Sequence, residues 1–355
     1  MTSRQRILNA LNRKPVDKPP FSLGFGINEP AKRELAAHLG VNREELNRLL
    51  DACTDVRWVG PAYIGPPERH VTYADGSHTD IWGVTRKPQS YGSGSYDEIC
   101  RYPLATATCA ADVSRHLFPS PDWFDFATFP AMLDAAQRDG ERALILGCGN
   151  LFESAWYMRG FETMLLDLLA DKELAHQIMT SVTDFFISFS TRALEAADGR
   201  IDIAFTADDI GGQEGLLMSL PLWEEMIKPY HTRLNKVLRG FGVKIMYHTD
   251  GAVMDALESL ADMGIDILEA LQFDARGMDP AEMKRRVGDK IAFHGGVSVQ
   301  STLPFGTPDE VEREVRERLE ILGRDGGYIL APSHAIQAGT PPENITALLK
   351  AAGRC

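Results

Sequence analysis

Eight short apolar segments, each followed by a run with helical periodicity, constrain the fold of this 355-residue chain more than any other sequence feature. These segments predict strands that begin near residues 21, 55, 143, 203, 244, 265, 291 and 328. Strands that alternate with helices form parallel sheets, and eight such units are typical of a (β/α)8 TIM barrel. We therefore predict one α/β TIM-barrel domain over residues 1–355. A doubly wound sheet is the alternative, but no GxGxxG or GxxxxGK[ST] motif follows a predicted strand, so its usual nucleotide-binding signature is missing.

Two segments lie outside the regular alternation. Residues 4–13 predict an N-terminal helix, which the proline-rich stretch 14–20 ends. Residues 60–123 form an insertion in which Pro and Gly punctuate short alternating runs, and residues 69–84 predict a β-hairpin with a tight turn at Asp75-Gly76. We expect this insertion to cap one end of the barrel.

Composition excludes several classes of function. An apolar share of 44% is enough for a large core, yet no run approaches the roughly 18 to 20 apolar residues of a membrane span. The net charge of -13 disfavours nucleic acid and anionic membranes as partners. Five cysteines without CxxC spacing, and no apolar signal-peptide core at the N-terminus, indicate a reducing cytoplasm.

Polar and titratable side chains concentrate where the predicted strands end, mostly in the second half of the chain. Active sites of TIM-barrel enzymes lie at these carboxyl ends, so the asymmetry predicts an enzyme. The strand ends that carry such residues are Asp208-Asp209, His248-Thr249-Asp250, Glu269, His294 and His334.

The segment His248-Thr249-Asp250-Gly251 is the first candidate for a metal site. Residues i and i+2 at a strand end point to the same side, so His248 and Asp250 can aim at one point. An imidazole and a carboxylate suit a divalent ion such as Zn²⁺. The alternative is a strand-end histidine that is hydrogen-bonded to its own loop carboxylate.

Glu269 and His334 extend this pair to two histidines and two carboxylates around one barrel mouth. The four residues His248, Asp250, Glu269 and His334 are therefore the candidate ligands of Zn²⁺ or another divalent metal. The alternative for the same mouth is a metal-free acid/base site. The catalytic candidates are His248, Asp209 and Glu269, and the metal-free alternative would use Asp209 and His248 as acid and base.

Candidate substrate-binding residues flank this mouth. The run 149–158 carries Phe152, Trp156 and Tyr157, which predict an aromatic pocket or, alternatively, a helix face packed on the barrel. Gln213 and His294 follow other strands and are candidates to contact the substrate.

The chain resembles the uroporphyrinogen decarboxylase superfamily. Within this superfamily it resembles the zinc-dependent, corrinoid-linked methyltransferases more than the decarboxylases. The likeness covers nearly the whole chain. It runs from the opening helix and Asp17-Lys18-Pro19-Pro20, through Ile227-Lys228-Pro229-Tyr230, to residues 340–345.

The methyltransferases of this family carry His-x-Cys-Gly after the fifth strand and Pro-Gly-Cys-Gly ahead of Thr-Pro-x-Glu-Asn, which supply one histidine and two cysteines to zinc. The matching stretches here are His248-Thr249-Asp250-Gly251 and Pro332-Ser333-His334-Ala335. The family histidine falls on His248, and the two cysteine positions fall on Asp250 and His334. Both replacements are harder ligands than thiolate, which suits activation of an ether oxygen rather than a thiolate coenzyme.

The decarboxylases of the family carry an arginine-bearing Met-Arg-Gln-Ala-Gly-Arg run after the first strand. Residues 23–28 occupy this place and contain no arginine. The carboxylates of a porphyrinogen would lack these cationic partners, so the sequence disfavours porphyrinogen decarboxylation.

The resemblance implies a metal-dependent methyltransferase that moves a methyl group from a methoxylated small molecule, with an aromatic one as a candidate, to a corrinoid protein. The corrinoid would arrive on this partner protein, because the chain has no evident cobalamin-binding module. The alternatives are a metal-free decarboxylase or lyase acting on a non-porphyrinogen substrate, and a non-catalytic tetrapyrrole-binding protein. The sequence does not fix the oligomeric state, and a homodimer is compatible with it.

Overall fold

The structure is a computed structural model that describes residues 1–90 and 95–354. Residues 91–94 of the insertion and Cys355, one of the five cysteines, lie outside the described residues. The strands are β1 (Val56–Val59), β2 (Ala62–Tyr63), β3 (Val71–Thr72), β4 (His78–Thr79), β5 (Thr85–Ser90), β6 (Ser95–Arg101), β7 (Phe124–Asp125), β8 (Ala143–Asn150), β9 (Ile203–Ala207), β10 (Lys244–His248), β11 (Ile267–Ala270), β12 (Ala292–Val297) and β13 (Tyr328–Pro332).

Helices follow most of the long strands. They are α1 (Ser3–Leu11), α2 (Glu29–Leu39), α3 (Arg43–Cys53), α4 (Ala110–Arg115), α5 (Phe129–Ala136), α6 (Leu151–Arg159), α7 (Phe161–Ala170), α8 (Lys172–Ala197), α9 (Leu220–Met226), α10 (Lys228–Arg239), α11 (Leu257–Asp262), α12 (Pro280–Val287), α13 (Thr302–Phe305), α14 (Pro308–Ile321) and α15 (Pro342–Ala351). Short 3₁₀ turns lie at Pro67–Arg69, Pro121–Trp123 and Met254–Ala256. None of these described helices combines the length and the apolar character that a bilayer crossing requires.

Seven strands form one parallel sheet in the order β1, β8, β9, β10, β11, β12 and β13. The segment around Phe21 lies between the two edges of this sheet: Phe21 bridges Leu330 of β13, and its carbonyl accepts the N–H of Asp55, just before β1. The predicted (β/α)8 barrel is confirmed, with this segment in the eighth position.

The first predicted strand is shorter in the structure than the sequence indicates. Only Phe21 forms a ladder bridge, because Pro19 and Pro20 have no N–H to donate and the Ser22 hydroxyl takes the N–H of Gly24. The third predicted strand differs in the opposite sense. β8 continues through the predicted loop to Asn150, with a bulge between Gly147 and Gly149.

Alternate residues of the strands fill the barrel interior in layers. The lowest layer is apolar and contains Val56, Ile145, Ile203, Met246, Ile267, Ala292 and Ile329. Ile7 and Leu11 of α1 belong to the same cluster, and Arg4 and Arg6 of this helix bind the carboxylates of Asp202 and Asp55. Helix α1 therefore closes the amino end of the barrel and leaves the carboxyl end for a site.

The insertion forms a four-stranded antiparallel sheet in the order β3, β4, β5 and β6. Its first two strands are the predicted hairpin, and Gly76 turns between them at a φ of 82°. Trp82 packs on Phe185 and Phe186 of α8, with ring centroids 5.2 and 5.5 Å away. The insertion thus lies against the helices that follow β8, beside the carboxyl end of the barrel.

Candidate metal and substrate site

Strand register places three polar side chains next to one another in the barrel. His248 of β10 pairs with Glu269 of β11, which pairs with His294 of β12. Each lies two residues after an apolar member of the lowest layer, and in a strand residues i and i+2 point to the same side. The layer above the apolar one therefore carries these polar groups, all of them buried.

His248 is held by Glu269 and faces the barrel mouth with its other nitrogen. Its Nδ1 is hydrogen-bonded to Oε2 of Glu269, while its Nε2 lies 3.6 Å from Oδ1 of Asp209 and 4.0 Å from Oδ2 of Asp250. Burial by itself lowers the pKa of His248, but the adjacent Glu269 carboxylate outweighs burial and raises that pKa to about 10. Without a metal, the imidazole is protonated at neutral pH.

Three side chains converge on one point and form a candidate metal-binding set. Ligand atoms of His248, Asp250 and His334 all lie within 4.8 Å of one another, and Nε2 of His334 is 3.9 Å from Oδ2 of Asp250. These separations exceed hydrogen-bond length, so the three ligand atoms face a common point without forming hydrogen bonds to one another. Two imidazoles and one carboxylate fit Zn²⁺ or a related divalent ion with one position left for a substrate.

A tight backbone contact fixes the direction of Asp250. Gly251 has a φ of 82°, and a Cβ at this position would collide with the backbone of Gly211 in the loop after β9. Only glycine permits both the left-handed conformation and this approach. The N–H of Asp250 also donates to Asp209 Oδ1 at 2.8 Å, which ties the two loops together.

Glu269 lies outside the converging set, although the sequence made it a candidate ligand. It lies between His248 and His294, and its Oε1 is 3.6 Å from Nδ1 of His294. Burial tends to raise its pKa, but the charge of His248 and the hydrogen bond from it lower the pKa of Glu269 to about 2. Glu269 is thus a buried carboxylate that orients His248, the arrangement common behind histidine ligands.

The consecutive carboxylates Asp208 and Asp209 have different places. Asp208 is fully buried, accepts the N–H groups of Phe152 and Glu153 at 2.7 and 2.8 Å, and pairs with the buried His231 of α10. It therefore caps the first turn of α6. Asp209 turns the other way and lines the mouth.

A cavity of about 1010 Å³ opens above the polar layer. Its polar lining includes His248, Asp250, His334, Asp209 and Glu153. Its aromatic lining consists of Phe25, Trp58, Phe186, Phe205 and Tyr157. Phe25 lies edge-on to His248 with ring centroids 5.0 Å apart, and Trp58 packs on Phe205 at 4.9 Å. A flat, partly aromatic molecule fits such a surface.

The predicted substrate contacts are placed in different environments. Tyr157 lines the cavity, but Phe152 is fully buried in the core, and Trp156 packs against Tyr157 and Phe161. For Phe152 and Trp156 the alternative of a packed helix face is correct, because α6 turns those side chains away from the mouth.

Two further candidates, Gln213 and His294, also lie away from the large cavity. Gln213 is exposed, and its backbone carbonyl accepts the N–H of Arg276. His294 lies below the cavity floor and, among the described residues, no hydrogen-bond partner meets its ring nitrogens.

Sequence reasoning missed four residues that form the cavity: Phe25, Trp58, Phe205 and Glu153. The three rings lie on or just after predicted strands, so the alternation rule places them within reach of the mouth. Glu153 carries no such signal, because its direction depends on the pitch of α6. Burial, helped by the charge of Asp208, raises the pKa of Glu153 to about 7.

A barrel closed at its amino end, with histidines and carboxylates clustered at the carboxyl end of its strands, has the architecture of a TIM-barrel enzyme. Residues 120–355 match the sequence model of the family described as Uroporphyrinogen decarboxylase (URO-D), and the chain belongs to this family. The expected superfamily is thereby confirmed.

Relatives match over almost the full chain. The uroporphyrinogen decarboxylase of Escherichia coli O81 (strain ED1a) is 25% identical over 361 residues, covering 98% of this chain and 96% of the relative. That of Methylococcus capsulatus (strain ATCC 33009 / NCIMB 11132 / Bath) is 26% identical over 364 residues, covering 97% and 95%. The solved structure of a methyltransferase from Methanosarcina mazei superposes with a TM-score of 0.68 at 20% identity, covering 99% of this chain and 98% of that one, which supports the same fold.

Proposed function

We propose that this protein is a metal-dependent methyltransferase that moves a methyl group from a methoxylated aromatic molecule to a corrinoid carried by a partner protein. The observation that carries the proposal is the convergence of His248, Asp250 and His334 at the mouth, with ligand atoms within 4.8 Å of one another. These three positions correspond to the histidine and two cysteine positions of the family's methyltransferases. A metal-binding pattern is therefore kept while its ligand types change.

His248, Asp250 and His334 would hold the metal, and Glu269 would keep His248 Nε2 directed toward it. A divalent metal supplies Lewis-acid polarisation of an ether oxygen, which makes the attached methyl carbon more electrophilic. Phe25, a ring that faces both histidines at 5.0 Å, would keep water from this point and contact the aromatic part of the substrate.

The charge of the cavity disfavours a porphyrinogen. Among the described lining residues the one arginine is Arg57, and its guanidinium is already bound to the Asp51 carboxylate and the Ala136 carbonyl. Asp51, Asp209 and Asp250 line the same space. A substrate bearing several carboxylates would meet these carboxylates and, among the described lining residues, no arginine that is free to pair with it.

A metal-free decarboxylase or lyase is the second candidate, because the relatives with near-complete coverage are named uroporphyrinogen decarboxylases. Asp209 and His248, 3.6 Å apart, would then be the acid/base pair. This reaction needs no metal, so activity in the presence of a chelator would favour it.

Metal analysis is the first test. The wild-type protein and the variants His248→Ala and His334→Ala are incubated with Zn²⁺, freed of excess ion and analysed by mass spectrometry. We expect about one equivalent of zinc in the wild type and almost none in either variant, because a three-ligand site loses most of its affinity for the metal when one ligand is removed. His38→Ala, on α2 and remote from the cavity, is the matched control and should keep its zinc.

Methyl transfer is then measured from a methoxybenzene to free cob(I)alamin by the absorbance change of the corrinoid. We expect transfer by the zinc-loaded wild type and none after removal of zinc. A wild-type protein that takes up no metal, or carbon dioxide release from a carboxylated substrate that survives chelation, would overturn the proposal in favour of the second candidate.

A further inference from the structure

Glu153 carries a carboxyl group that lines the cavity but is not one of the candidate metal ligands. It lies in the first turn of α6, where its backbone N–H donates to Asp208, and its side chain lines the same cavity as His248 and Asp250. It does not belong to the converging metal-binding set. Glu153 therefore lies beside the candidate metal site without supplying a ligand to it.

The side chain is held in place by two polar neighbours. The Tyr157 hydroxyl donates to Oε1 at 3.1 Å, and the Asn150 amide donates to Oε2 at 3.4 Å. Tyr157 is itself covered by the guanidinium of Arg86, from strand β5 of the insertion, 4.9 Å above its ring. The insertion thus packs against the residue that orients this carboxyl group.

The surroundings of Glu153 favour its protonated form. Burial is the main reason that its pKa is raised to about 7, and the carboxylates of Asp208 and Asp209 raise it further. His248 and the hydrogen bond from Tyr157 act in the opposite sense, and Arg86 lies beyond the Tyr157 ring. A carboxylic acid with a pKa near the working pH is suited to donate a proton and to take it back.

We propose that Glu153 is the general acid that protonates the oxygen from which the methyl group leaves. This inference rests on the proposed methyl transfer and adds a residue to it. The methyl carbon forms a bond to the Co(I) of the partner's corrinoid as its C–O bond breaks, and the C–O electron pair stays on oxygen. The carboxyl proton of Glu153 moves to this oxygen. The products are a methylated, formally Co(III) corrinoid, a neutral alcohol or phenol, and the Glu153 carboxylate, which regains a proton from solvent.

The sharpest test varies the leaving group. An unactivated aryl methyl ether needs a proton as its phenolate departs, whereas 4-nitrophenyl methyl ether releases a stable anion. We expect Glu153→Gln to lower kcat for the unactivated ether by about 10²- to 10⁴-fold, the usual contribution of general acid catalysis, and for the nitro compound by less than about tenfold. Glu162→Gln, an exposed glutamate on α7, is the matched control and should behave as wild type.

A second readout needs no corrinoid. Infrared difference spectra of the zinc-free protein between pH 6 and 8 should show a protonated carboxyl band that is lost as the pH rises through about 7. We expect this band to be absent from Glu153→Gln, and present in Glu162→Gln. Tyr157→Phe should keep the band but shift its midpoint, because the hydrogen bond to Oε1 is gone.

The outcomes separate this inference from the proposed function. Methyl transfer by wild type, with equal losses for both ethers or no loss in Glu153→Gln, would overturn the general acid alone. Persistence of the carboxyl band in that variant would do the same. Absence of methyl transfer by the zinc-loaded wild type from either ether would overturn the proposed function and this inference with it.

Discussion

Two groups of histidine and carboxylate side chains lie near the carboxyl end of the barrel, and they are built in opposite ways. Asp208 and His231 are fully buried, and both Asp208 oxygens accept hydrogen bonds from the chain. His248, Asp250 and His334 border a large cavity and lie 3.9 to 4.0 Å apart where they approach. In the first group both carboxylate oxygens of Asp208 are satisfied by the protein itself, while the second group keeps ligand atoms available.

The difference teaches that residue type alone does not mark a functional site. Removal of one partner from a buried pair destabilises the fold, because it leaves an uncompensated charge. The ligand atoms of the second group are partly removed from water and face a common space without bonding to one another. A bound ion or substrate can therefore complete their interactions. Each prediction below tests one of the two groups or the residues that contact it, in order of decreasing effect.

Asp208→Ala should destabilise the protein by about 3 to 5 kcal/mol, because it leaves His231 and two N–H groups of α6 without an acceptor. Asp209→Ala loses one hydrogen bond, from Asp250 N–H, and should cost about 1 kcal/mol. The free energies of unfolding come from urea titrations. Equal losses in the two variants would remove the contrast between a saturated and an open group.

Glu269→Gln should lower the affinity for Zn²⁺ by about 10- to 100-fold, since the amide no longer orients and polarises His248 as a carboxylate does. Dissociation constants are measured by competition with a chromogenic chelator. Glu258→Gln removes an exposed carboxylate bound to Arg286 and should leave the affinity unchanged. An unaltered affinity in Glu269→Gln would show that His248 needs no such support.

Zinc affinity should rise with pH by about tenfold per unit between pH 6.5 and 8.5. The pKa of His248 is raised to about 10 in the metal-free protein, so binding must displace one proton over this whole range. The affinity therefore falls as protons become more abundant. The same competition assay measures the slope, and a pH-independent affinity would mean that His248 binds metal without losing a proton.

Phe25→Leu should weaken binding of an aromatic methyl ether by about threefold to tenfold, because one ring contact is worth about 0.5 to 1.5 kcal/mol. Zinc content should not change, since Phe25 packs beside the two histidines and offers no ligand atom. The ether affinity is measured by calorimetry on the zinc-loaded protein. A loss of zinc in this variant would show that the ring also holds the histidines in place.

Much of the fold could be predicted from the sequence because its signals are local. Seven of the eight predicted strands form the sheet, and the hairpin at residues 71–79 turns at the expected Asp75-Gly76. The misjudged segment, residues 21–24, closes the barrel through one bridge and not through a ladder, because the preceding prolines lack an N–H and the Ser22 hydroxyl takes the N–H of Gly24.

The candidate site could be predicted in part. His248, Asp250 and His334 follow strands whose ends must meet at one mouth, so the structure brings them together as the sequence indicated. The exact duties of Glu269, Phe152 and Gln213 could not be assigned, because each depends on which way a side chain turns once neighbouring strands and helices are packed.

The sequence by itself determined the alternation of strands and helices, the family, and the strand ends that carry titratable residues, because these depend on patterns within a few residues. The tertiary structure alone decided that Asp208 caps a helix while Asp209 faces the cavity, and that Glu153 joins the site. Burial, register around the barrel and distance between loops control these roles. All three arise from contacts between segments far apart in the chain, which local patterns do not encode.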